Sequence, residues 1–99
     1  MKNLEETYGL VYWLNEEAHS LSYDIWKESD DLMDEDWEAA EELREDASIM
    51  QSQYFREQYL ELSNDDKESI IHWLKNDEDF KDEFTTFFGE IEFENNFKL

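Results

Sequence analysis

Residues 10–27, LVYWLNEEAHSLSYDIWK, place Val11, Leu14, Ala18, Leu21 and Ile25 at alternating steps of three and four, the spacing that lines side chains along one face of an α-helix. The pattern extends over residues 3–27, with Asn3 as a fitting N-cap. Leu10, Tyr12 and Trp13 widen the apolar face beyond a minimal stripe. Such a helix either runs through the centre of a core or offers its surplus to a second copy of the chain, so a homodimer is one of the expectations.

A second helical pattern starts between residues 29 and 36, where Ser29, Asp30, Asp34 and Asp36 are all competent caps, and carries Met33, Trp37, Ala40, Leu43, Ala47 and Met50. Gln51, Ser52 and Gln53 weaken it before Tyr54, Phe55, Tyr59, Leu60 and Leu62 resume, which predicts a kink or short break near Ser52. Ser63, with Asp66 three residues on, approximates a capping box, and the helix it opens runs through Lys75 and buries Ile70, Ile71 and Leu74. Acids at Asp77, Glu78 and Asp79 open another, with Phe80, Phe84, Phe87 and Phe88 on one face and Gly89 as a left-handed stop. Residues 90–94 then alternate polar and apolar, as a short strand or an extended tail held by Ile91, Phe93 and Phe97 would. The predicted fold is all-α: one acidic domain over residues 1–99, a small compact bundle of four or five helices with an extended or short-strand C-terminal tail.

The charge is extreme: 29 Asp and Glu against 8 Lys and Arg give −21 over 99 residues. With 39% apolar and 16% aromatic residues, the chain is nevertheless far richer in core-forming rings than an acidic disordered tail. Residues 28–46 carry −10 and residues 76–94 carry −7, whereas residues 1–27 carry only −3. Between residues 34 and 46 there are eight carboxylates, about one per 2.4 Å of helix axis; duplex DNA carries one charge per ~1.7 Å. On a helical wheel Asp34, Glu38, Glu41 and Glu45 form one row and Glu35, Glu42 and Asp46 its neighbour, both turned away from Trp37, Ala40, Leu43 and Ala47.

A run of acids is ordinarily a solvated face, and salt adaptation is another bland source of negative charge. Here the acids are clustered, of one sign, and interrupted only by Arg44. Like charges at i, i+4 each cost about 0.2–0.5 kcal/mol, and solubility asks only for a net charge of about 2–8, so something outside the fold accounts for the excess. At Asp79, Asp82 and Glu83 helix-dipole stabilisation competes as an explanation, although these residues can extend the acidic surface.

Other chemistry is thin. There is no Cys, hence no disulfide, thiolate metal site or Cys nucleophile. Asp34, Asp36, Glu38 and Glu45 fall at EF-hand offsets, but Ala39 stands where the loop needs Gly. Glu16 and His19 have Glu-x-x-His spacing without a second pair, because Ser69 precedes His72 by three. No nucleophile elbow or phosphate-cradling Gly loop occurs. The expectation is a protein that is not an enzyme and uses no catalytic residues, cofactor or metal. Among Trp13, Trp26, Trp37 and Trp73, most belong in the core and one or two can anchor a partner. No apolar run approaches the ~18 residues of a membrane span, and the acids at Glu5 and Glu6 do not fit a signal peptide. A cytoplasmic protein is expected, in the host cytoplasm if phage-encoded.

A −21 surface repels phosphates, so direct binding to nucleic acid or to an anionic membrane is not expected, and the fitting partner is a basic protein. In whole-chain composition and in the carboxylate rows of residues 34–46, the sequence resembles the small acidic DNA-mimic inhibitors of phages and mobile elements that act against restriction and CRISPR systems. The resemblance rests on charge and transfers no family motif. It implies occupation of the basic channel of a nucleic-acid-binding protein, carboxylates replacing phosphates against Lys and Arg. The partner-binding residues are then Asp34, Glu35, Glu38, Glu41, Glu42, Glu45 and Asp46, with Asp79, Asp82 and Glu83. The alternative is an immunity or antitoxin-type module that neutralises a basic protein without imitating DNA.

Overall fold

In the computed structural model, which describes residues 1–97, helix α1 (Leu4–Leu21) opens with a capping box. Asn3 Oδ1 accepts the Glu6 N–H at 2.8 Å while the Glu6 carboxylate accepts the Asn3 N–H. Helix α1 stops at Ser22, whose hydroxyl donates to the carbonyl of Ala18 at 3.0 Å or His19 at 3.2 Å. The predicted single segment 3–27 is therefore two helices, with α2 at Tyr23–Leu32: at Ser22 the backbone leaves helical geometry (φ −101°, ψ 6°), and this buried serine's hydroxyl is satisfied by the preceding turn. Leu21, predicted on the buried stripe, is 52% exposed at this bend.

Asp36 Oδ1 accepts the Ala39 N–H at 3.2 Å and starts α3 (Trp37–Leu60), which passes through Gln51, Ser52 and Gln53 without the predicted break. Met33 therefore lies in the connecting turn. Ser63 caps α4 (Asn64–Asn76) and Asp77 caps α5 (Glu78–Phe88), each side chain accepting an N–H three residues on. Gly89, at φ 99°, ends α5 and begins α6 (Glu90–Asn96). Left-handed φ favours glycine there, and a Cβ would also stand 3.1 Å from the Arg56 guanidinium.

Six helices, with no strand among the described residues, replace the expected four or five with an extended or strand tail. The tail fails as a strand because its apolar residues have better partners at helical spacing. Phe93 and Phe97 stack with ring centroids 5.0 Å apart and close over Phe84 and Phe88, whereas Ile91, assigned with Phe93 to one strand face, is 76% exposed. The Phe93 N–H reaches the Gly89 carbonyl and the Phe97 N–H the Phe93 carbonyl, both at 2.8 Å, so the backbone needs no neighbouring strand.

The packing divides a 48 × 22 × 20 Å molecule into a base and an arm. In the base, α1 and the second half of α3 are wrapped by α4, α5 and α6 around Val11, Leu14, Phe55, Ile70, Phe80 and Phe84. Phe84 is fully buried, with the rings of Phe55, Tyr59, Phe80, Phe88 and Phe93 at 5.5–6.3 Å, mostly edge-on. In the arm, α2 lies along the first half of α3, and the buried residues are small: Ser22 and Ser29 on one side, Ala40 and Ala47 on the other. Seven-residue spacing on both helices keeps these positions facing each other. Where arm meets base, Trp26 Nε1 donates to Gln51 Oε1 at 3.0 Å and Gln51 Nε2 to Asn15 Oδ1 at 2.9 Å.

Two outcomes follow from this base. Phe84→Ala is expected to destabilise the fold by about 3–5 kcal/mol in urea unfolding, the cost of a cavity among rings that are locked by their neighbours. Burial pushes the Tyr59 hydroxyl above its ordinary 10.0, so folding favours its protonated form. That contribution is complete below pH ~10 and is lost as pH rises through the higher folded value. The melting temperature is expected to fall more steeply above pH ~10 in the wild type than in Tyr59→Phe.

Candidate functional site

In the first half of α3, residues 37–46, every exposed residue except Trp37 is acidic. Glu38, Glu41, Glu42, Glu45 and Asp46 are all exposed, and helical steps of three and four set them about 5–6 Å from one another at Cβ over ~12 Å of axis. They occupy the side opposite Ala40 and Ala47, so the seam that builds the arm also orients the carboxylates. Asp34 and Glu35, predicted to head the two rows, sit in the turn before α3 and extend the array around the tip, off the helical rows. No carboxylate of α2 was expected among the partner-binding residues, yet Asp24, Glu28, Asp30 and Asp31 are exposed along that second helix of the arm. The bend at Ser22 and the turn back at residues 33–36 bring them alongside.

Cations of the same chain leave this face alone. Among the described residues the ion pairs are the N-terminal amine with Asp65, Lys2 with Asp66, and Arg44 with Asp30 at 2.9 Å. Only the last lies in the arm. Arg44 Nε also donates to Ser29 Oγ at 3.1 Å, so its guanidinium ties α3 to α2.

The second acidic block belongs elsewhere. Asp79, Asp82 and Glu83 are on α5 in the base, away from the α2–α3 seam. Asp79 lies in the first turn of the helix capped by Asp77, where acids favour the helix dipole. Glu83 is half-buried and accepts the Tyr12 hydroxyl at 2.7 Å, a bond that raises the Tyr12 pKa. The structure thus gathers the residue 34–46 acids and separates these three from them.

The weaker motifs dissolve into structure. From Trp37 onward the EF-hand-like residues are helical, and Asp36 is occupied as a cap. His19 stacks on Trp26 and His72 meets Trp73 edge-on. Among the described residues no three His, Cys, Asp or Glu converge as a metal site, and no helix is long and apolar enough to cross a membrane. A groove of about 500 Å³ between α3 and α6 is lined by Arg56, Tyr59, Leu60, Ile71, Phe88 and Phe97 and contains neither histidine.

Of the four tryptophans, Trp26 and Trp73 are half-buried with their indole N–H groups bonded to Gln51 and to the Lys2 carbonyl. Trp13 and Trp37 are 49% and 60% exposed. The helical wheel placed Trp37 on the apolar side. It is open because α2 has ended by Leu32 and nothing at the arm's tip covers the first turn of α3.

No family model, curated protein or solved structure matches this chain.

An unneutralised row of acids works against the helix that bears it. Glu42 has Glu38, Glu45 and Asp46 three or four residues away, and Glu42→Lys turns three repulsive pairs into attractive ones. The variant is expected to be more stable than the wild type by about 1 kcal/mol. Sodium chloride is expected to raise the melting temperature of the wild type more than that of the variant.

Proposed function

We propose that this protein is a DNA-mimic inhibitor: its acidic arm occupies the basic nucleic-acid-binding surface of a defence or host protein, in the cytoplasm, by occupancy and without catalysis. The reading is carried by one observation, the exposed carboxylates of α3 held on a helix opposite its packing seam and without a cationic partner among the described residues. Two further features support it. The Asp34 and Glu35 turn and the acids of α2 continue the negative charge around the arm. The narrow two-helix shape presents that charge at one end of a 48 Å molecule, where a groove can receive it. Asp79, Asp82 and Glu83 are then a secondary contribution from the base.

The mechanism is electrostatic. The field of the arm extends roughly a Debye length, ~8 Å at physiological salt, and speeds encounter with a basic channel. On contact, Lys and Arg that neutralise phosphates in the DNA complex pair with carboxylates instead. Because the helix that carries the array is already formed, docking orders side chains but no further backbone.

The decisive experiment is capture from a host lysate with and without competing duplex DNA. A nucleic-acid-binding protein that DNA releases is the expected result, and a captured partner indifferent to DNA overturns the mimicry. Reversal of Glu38, Glu41, Glu42 and Glu45 to Lys together is expected to abolish capture while circular dichroism stays helical. With the isolated partner, the association rate is expected to fall at least tenfold between low and high ionic strength; a salt-independent rate would point to an apolar interface.

A further inference from the structure

Trp37 occupies the first position of α3, directly after the Asp36 cap, and 60% of its surface is open. Among the described residues no other ring packs on it and its indole N–H has no protein acceptor, in contrast with Trp26 and Trp73. Its surroundings are anionic: Glu38 follows it, the Asp34–Glu35 turn precedes it, and Glu41 lies one helical turn on, about 5–6 Å away at Cβ. A large aromatic face beside a carboxylate suits one kind of group. A guanidinium lays its plane on a ring and directs its N–H edge to a carboxylate, whereas an ammonium is a compact, strongly hydrated charge that gains less from the ring.

The molecule already handles guanidinium groups in both ways. Arg44, seven residues beyond Trp37 and so on the same side of α3, donates to Asp30 and Ser29 across the arm. Arg56 lies over the Phe88 ring, 6.0 Å from its centroid, while its Nη1 donates to the Phe88 carbonyl at 2.7 Å. The geometry points to Trp37 and Glu41 as a docking point for an arginine of the basic partner, the indole taking the plane of the guanidinium and the carboxylate its edge. The surface that fits the arm is therefore arginine-bearing, not merely cationic. This rests on the reading of the arm as a site for a basic protein.

The test uses the full chain with oligo-arginine and oligo-lysine peptides of equal length, titrated calorimetrically at low salt. In the wild type, oligo-arginine is expected to bind tighter than oligo-lysine, and Trp37→Ala to reduce that preference about two- to fivefold. Trp13→Ala removes a comparably exposed indole on α1 and is expected to leave the preference unchanged. A wild-type preference retained in Trp37→Ala, equal binding of both peptides to the wild type, or loss of the preference in Trp13→Ala overturns the inference and leaves the acidic arm as a binding surface. Failure of both peptides to bind the wild type overturns the underlying reading as well.

Discussion

The burial of Phe84 by the rings around it is the interaction on which the remainder of the structure depends. The arm can supply little apolar stabilisation of its own, since its buried residues are Ser22, Ser29, Ala40 and Ala47. On α3 alone, the acids at positions 38, 41, 42, 45 and 46 make five like-charge pairs at steps of three or four, together costing about 1–2.5 kcal/mol. A fully buried Phe contributes about 1.5–3 kcal/mol relative to exposure, and the base buries Phe55, Phe80, Phe84, Phe88 and Phe93. The aromatic base therefore offsets the repulsion. Because α3 runs unbroken from arm into base, the second half of the helix holds the first half in place.

Small residues along the α2–α3 seam serve a different end. Large apolar side chains there would thicken the arm and push the two helices apart. Serine and alanine let the backbones approach and leave the outward positions for charge. The loss of hydrophobic contact is partly made up by polar links: Arg44 to Asp30 and Ser29, and the Trp26–Gln51–Asn15 chain where arm meets base. Those groups sit where ring packing gives out, which explains why a Trp and a Gln occupy partly buried positions without any buried side-chain N or O atom left unsatisfied among the described residues.

Helical class, caps and most of the core were legible in the sequence because they depend on local spacing. Asn3, Ser63 and Asp77 cap as their side chains allow, Asp36 is the one of four candidates that caps α3, and Val11, Leu14, Ala18, Phe80 and Phe84 are all buried. What escaped depended on contacts distant in sequence or on a local change of backbone. The bend falls at Ser22, where the backbone leaves helical geometry within a pattern that hydrophobic spacing alone continues to Ile25. The tail was misread because Ile91 and Phe93 fit a period of two, while Phe93 and Phe97 fit a period of four; only the waiting surface of Phe84, Phe88 and Tyr59 decides between them. The acidity of residues 34–46 was plain from composition. That α2 would fold back to bring Asp30 and Asp31 alongside was not, since no spacing rule announces a hairpin.

The placement of the positive charges bears on why the arm is acidic. Lys2 is paired with Asp66, Arg56 is held against Phe88, and Lys67 reaches the Leu60 carbonyl at 2.9 Å beside the Tyr59 ring, all in the base. These three join elements of the base, and Arg44 joins α2 to α3 in the arm. On the outward face of α3, where a lysine would relieve repulsion without disturbing the seam, there is none. The base carries acids as well, 17 of the 29, but 12 fall within residues 22–47, a density that general solubility or salt tolerance, which would spread acids evenly over base and arm, does not explain. Concentration of one sign on the narrowest, least hydrophobic part of the molecule, against the stability of the helix that carries it, is what a surface specified by a cationic partner would require.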